Sequence, residues 1–163
     1  GPETKALVSY LPDRMYYAGW MKTKDMVNFF ADFYPDFRRE RAEAMCRALG
    51  IGLDMRVKTM SKGTKEKLQL LLVMSRAAKL YLLDEPENSL SAERQLELQE
   101  YLVNSARFYR CQFILSTHSP FLLSTRGAKV YDLDADPVCV RPWTQIASVR
   151  TYRDFFREHD AEF

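Results

Sequence analysis

The chain has little to build a disulfide frame or a zinc cluster from. Its 163 residues hold three cysteines, Cys46, Cys111 and Cys139, odd in number and far apart in sequence. Thiols used this way point to a reducing compartment, and so to a cytoplasmic protein. There is no apolar run of about 18 residues, the length that a membrane-spanning helix needs. No segment has the basic start and apolar middle of a secretory signal. An excess of one charge is also missing: 24 Lys and Arg against 22 Asp and Glu leave a formal +2. A balance that mild indicates no nucleic-acid partner. No internal repeat and no low-complexity tract interrupts the chain. What is present is apolar bulk, 47% of residues with 13% aromatic, enough for the packed core of one domain spanning residues 1–163.

Strand and helix signals alternate. "ALVSYLP" (6–12) is rich in strand formers and stops at Pro12. Thr23 opens a helix with Met26, Phe29, Phe30 and Phe33 at helical spacing, a core stripe ended by Pro35. Asp36 is placed to cap a second helix, with Phe37, Ala44, Met45, Ala48 and Leu49 inward and Gly50 and Gly52 as its stop. A third helix is expected from Ser61 to about Ala77, burying Leu68, Leu71 and Leu72. Strand 79–84 follows, then a helix capped by Ser91 and running to about Phe108, then strand 111–116. A further strand covers 128–133. "VCVRPW" returns as an antiparallel edge after a turn at 134–137, since Pro142 suits an edge. Thr151 and Asp154 have the spacing of a capping box for a last short helix. The alternation predicts an α/β fold, a mostly parallel sheet flanked by helices, with residues 22–58 inserted as a helical subdomain.

The chemistry-bearing residues fall at strand ends. In a parallel sheet ligands sit beyond the carboxyl ends of the strands. The first strand ends near Asp13, the second on Asp84 and Glu85, and the third on Thr117, His118 and Ser119. Asp84 is suited to hold Mg²⁺ through water, Glu85 to polarise an attacking water, and His118 to meet a terminal phosphate. Together these are the tasks of phosphoryl transfer. Taken singly, each group reads as a solvated loop residue, and Lys62, Lys65 and Lys67 as a solvated helix face. Order and spacing carry the argument.

"MSKGTKEKLQLLLVMSRAAKLYLLDEP" sets a Ser-x-Gly loop at a helix start, then an amphipathic helix, then a strand ending in two acids. This resembles the C-terminal half of an ABC-type ATPase, a P-loop NTPase-like half-domain. "MSKGT" (60–64) is similar to that family's signature loop, "LYLLDE" (80–85) to its Walker B strand, and "STHSP" (116–120) to its histidine switch. The resemblance implies ATP and Mg²⁺ as ligands. It makes Glu85 and His118 catalytic and Asp84 the metal ligand. It puts Ser61, Gly63, Thr64 and Asp13 against the nucleotide, with Asp13 near the usual Q-loop glutamine. Ser61 and the free N–H groups of its helix start form an anion site, which in the family serves the partner subunit's nucleotide.

The pattern departs from the family in one large respect. No G-x-x-x-x-G-K-[ST] occurs, so the lysine and the nest of N–H groups that grip the phosphates are missing. Residues 1–86 resemble a transporter-type subunit, whereas 87–163 are more similar to stand-alone ATPases related to chromosome-maintenance proteins. That mixture fits a truncated or composite, engineered chain. The expectations are four. Hydrolysis by the chain alone should be negligible. A second copy or another chain should supply the phosphate loop, and a transporter's membrane subunit is a further partner. Strand 111–116 should pair directly with 128–133 or, as the alternative, with a strand from a second copy. Asp84, Glu85 and His118 should share one end of the sheet, with Ser61 off to the side. The alternative readings are an engineered or composite α/β scaffold without activity, and an interaction module whose residues 22–58 dock a transporter's membrane subunit.

Overall fold

The computed structural model describes residues 4, 7–12 and 17–163; Asp13 lies outside the described residues. Three parallel strands form the sheet in the order β1 (Val8–Leu11), β2 (Leu80–Asp84), β3 (Gln112–Ser116). Their register is Val8 to Leu80 to Gln112 at one end and Leu83 to Leu115 near the other. Between β1 and β2 run helices α1 (Thr23–Phe33), α2 (Arg39–Ala48) and α3 (Lys62–Met74). Helix α4 (Ala92–Tyr109) links β2 to β3. The short α5 (Pro120–Leu123) follows, then a hairpin of β4 (Tyr131–Asp132) and β5 (Cys139–Val140), then α6 (Ala147–Glu158).

Strand alternation gives the sheet two unlike faces. Leu11, Tyr81 and Leu83 pack with Leu70, Val73 and Met74 of α3 and with Leu98 and Leu102 of α4. Phe113 and Leu115 extend that face, and the Tyr81 and Phe113 rings stack at 4.8 Å. On the opposite face Tyr10 is 56% and Ile114 52% exposed, in one row with Leu82.

Helix α3 is buried on nearly all sides from Leu68 to Met74 because it lies between two cores. Its Leu68, Leu71 and Leu72 meet Met26, Val27 and Phe30 of α1 and Ala42 and Cys46 of α2. Arg76, just past its end, holds Asp36 through two hydrogen bonds of 3.1 and 3.2 Å and donates to the Val8 carbonyl at 2.7 Å. The Tyr34 ring lies 4.0 Å from the Arg76 guanidinium.

Several expectations change here. Asp36 does not cap α2: its carboxylate is engaged by Arg76, and α2 begins at Arg39 after Arg38 with no side-chain cap. The buried face of α2 runs through Ala42, Met45, Cys46 and Leu49, while Ala44 and Ala48 are exposed, a rotation that follows from the later start. Phe29 and Phe33 are not core; they stack on each other at 5.9 Å and remain 53% and 61% exposed. Helix α6 starts at Ala147 instead of Thr151, whose hydroxyl donates back to the Ala147 carbonyl within the helix. The expected pairing of 111–116 with 128–133 does not form. Strand β4 pairs antiparallel with β5, because the nearby hairpin partner satisfies its backbone at lower loop cost. Among the described residues β3 is therefore an open edge.

Candidate functional site

Strand β2 ends on Asp84, in register with Ser116 at the end of β3. The ladder runs one step further, with the Glu85 N–H donating to the Ser116 carbonyl at 2.9 Å. Glu85 then turns into the left-handed region, φ 43°, which non-glycine residues rarely adopt. That turn separates the side chain of Glu85 from the alternation of the strand. Its carboxylate lies 3.9 Å from His118 Nε2 and accepts from Asn88 Nδ2 at 3.0 Å. The sheet thus brings Asp84, Glu85 and His118 to one end, on adjacent strands.

The loop carrying His118 is held by a residue that the sequence reading passed over. Glu87 Oε1 accepts from the Thr117 hydroxyl at 2.5 Å, the His118 N–H at 3.0 Å and the Ser119 N–H at 3.2 Å. Its Oε2 is buried with no hydrogen-bond partner among the described residues. Ser119 caps α5 and donates its hydroxyl to Gln95 of α4 at 2.7 Å. The available signal was position: a second acid two residues after Glu85, in a loop facing the end of the neighbouring strand.

Ser61 is the N-cap of α3. Its hydroxyl accepts from the Thr64 N–H at 3.1 Å and lies 2.9 Å from the Thr64 hydroxyl. This loop packs against the one that follows β2. A Cβ on Gly63 would stand 3.1 Å from Ser89 Cβ, so glycine permits the close approach of the loop that follows β2. Ser89, itself at φ 61°, donates to Glu66 of α3. A cavity of about 20 Å³ lies between Glu66, Gln69, Asp84, Glu85 and Asn88, room for about one water. Asp84 has no ready-made cage: among the described residues no group of three or more His, Cys, Asp or Glu is placed to hold a metal. One or two carboxylates are nevertheless the protein share of a Mg²⁺ site completed by phosphates, so these residues fit that ion.

Comparisons with known proteins agree with this fold. Residues 48–124, just under half of the chain, match the family described as "AAA domain, putative AbiEii toxin, Type IV TA system". CCR4-associated factor 16 of Saccharomyces cerevisiae is 31% identical over 83 residues, 51% of this chain and 29% of that protein. The ATP-binding subunit of an ABC transporter superposes with TM-score 0.61 at 22% identity, over 72% of this chain and 51% of its own. The archaeal ribosome recycling factor aABCE1, solved with the ribosomal stalk protein aP1, gives TM-score 0.61 at 18% identity, over 77% of this chain and 24% of that one. The chain therefore spans about half, or less, of the length of these three proteins.

Proposed function

We propose, for a chain with the fold of an ABC-type ATPase domain, that it supplies the acidic and switch half of an ATP-hydrolysing site and depends on a phosphate loop from elsewhere. The observation that carries this reading is the 3.9 Å approach of Glu85 and His118 at the carboxyl ends of adjacent parallel strands, beside Asp84. Glu85 orients the attacking water. His118 meets the terminal phosphate. Asp84 would hold Mg²⁺, which when bound neutralises phosphate charge. The free N–H groups of Lys62 and Gly63, with Ser61 and Thr64, offer an anion contact to a nucleotide on a partner subunit. Asp13 is proposed as a nucleotide contact from its sequence position alone, near the usual Q-loop glutamine. The edge of β3, open among the described residues, and the exposed Tyr10 and Ile114 support addition of a strand and helix there.

Complementation tests this. The purified chain is mixed or co-expressed with a polypeptide carrying a strand, a phosphate loop and a helix. ATP turnover that appears only in the mixture and is lost in Glu85→Gln supports the reading. Turnover unaffected by Glu85→Gln would overturn the role given to Glu85, and no turnover from a complex that demonstrably forms favours an inactive scaffold.

A second reading rests on the 22–58 segment, proposed as a helical subdomain that docks a transporter's membrane subunit. It is favoured by the exposed, stacked Phe29 and Phe33 and by Trp20, 71% exposed. Replacing both phenylalanines by serine should leave the fold intact and abolish that docking.

A further inference from the structure

At the amino end of the sheet, opposite the acids, a cavity of about 490 Å³ opens between α2, α3, α4 and the starts of β2 and β3. That volume is in the range of small-molecule sites, about 300–1,000 Å³. Three cations line it: Arg38, Arg41 and Lys79. Glu40 is the one carboxylate among its lining residues, so three positive charges less one leave two. Arg41 is partly buried, and its guanidinium lies 4.9 Å from the Tyr101 ring and 5.6 Å from the Tyr109 ring. Among the described residues it makes no hydrogen bond and no ion pair. A guanidinium has five N–H donors, and leaving them without a protein acceptor forgoes charge-assisted hydrogen bonds. Like charges are also gathered at the positive end of α2, which has no side-chain cap, where the helix dipole disfavours cations. An anion in the cavity would relieve both costs.

We propose that this cavity binds a phosphomonoester carried on an aromatic ring. The phosphate's charge of about −1.5 to −2 at pH 7 matches the two uncompensated positive charges. Tyr109, 65% exposed, and Phe113, stacked on Tyr81, supply apolar walls for the ring. The site does not depend on the ATPase reading, since none of its lining residues belongs to the acidic end.

The test is an amide NMR titration of the whole chain with phenyl phosphate, inorganic phosphate and phenol as probes. Phenyl phosphate should give saturable shifts confined to residues 38–42, 79–81 and 105–113, and bind at least tenfold tighter than either other probe. Arg41→Gln should weaken it at least tenfold. Lys79→Gln, at an exposed position that leaves the fold undisturbed, should weaken it several-fold, and Lys65→Gln not at all. Non-saturable shifts, shifts centred on 61–64 or 84–89, equal binding of inorganic phosphate or phenol, or full affinity in both Arg41→Gln and Lys79→Gln would each overturn the proposal.

Discussion

Glu87 collects three donors from residues 117–119 on one oxygen, so a single side chain fixes the loop in which His118 faces Glu85. Hydrogen bonds to a charged acceptor are worth about 1.5–3 kcal/mol each, with shared acceptors at the low end. Glu87→Ala should therefore speed amide exchange of His118 and Ser119 at least tenfold, while Glu87→Gln, which keeps an acceptor, should change it less. Unchanged exchange in Glu87→Ala would show that the loop holds itself. The cysteines allow a second check at this scale. Burial pushes the Cys46 and Cys111 thiols above their ordinary range, whereas Cys139 is partly exposed. Cys139 alone should react with a thiol reagent at about pH 8, the other two only on unfolding. As pH rises past about 8.5 the unfolded chain loses these protons first, so this part of the stability is present below that pH and lost above it. Denaturant midpoints at pH 7 and pH 9.5, compared with a Cys46→Ala, Cys111→Ala variant, measure it.

The elements differ in how far the sequence revealed them. Ser61 and Ser91 were legible as caps because their hydroxyls reach the third N–H onward, a purely local bond. Strands β2 and β3 were legible as short apolar runs with polar ends. Asp36 was misread for the opposite reason: its partner Arg76 is 40 residues away, and a long-range carboxylate–guanidinium pair outweighs a local cap. The double burial of α3 was only half visible, because Leu70, Val73 and Met74 face a sheet whose packing no periodicity reveals. Glu87 and Ser89 act through contacts across strands and loops, so their roles needed the fold. Arg76 is 3% exposed and ties α2's approach to the start of β1. Removing the carboxylate in Asp36→Ala should cost about 3 kcal/mol, near the lower end of values for breaking a buried pair. Urea unfolding with an unchanged slope reads this directly; a loss under about 0.5 kcal/mol would mean that the pair does not organise the α1–α2–α3 unit.

In the molecule as a whole, one face of the sheet is covered by α3 and α4 while the other leaves Tyr10 and Ile114 more than half exposed, and among the described residues β3 ends the sheet. The Gln112 N–H bonds to Lys79 and the Ser116 carbonyl to Glu85. By alternation, the N–H and C=O groups of Phe113 and Leu115 point to the open edge. Asp84, Glu85 and His118 therefore stand at one end of a sheet whose β3 edge is open among the described residues. Without a phosphate loop, the loss of three charge-assisted bonds removes about 4.5–9 kcal/mol of nucleotide affinity, and each 1.4 kcal/mol is about tenfold. A site that would be micromolar weakens past millimolar, and Asp84 and Glu85 repel the triphosphate unless a metal intervenes. Calorimetric titration of the purified chain with Mg-ATP tests this most directly. The account predicts no saturable heat at micromolar nucleotide, for the chain and for Glu85→Gln alike. A saturable micromolar isotherm that changes in Glu85→Gln would contradict it, and would mean that the described residues grip the phosphates themselves.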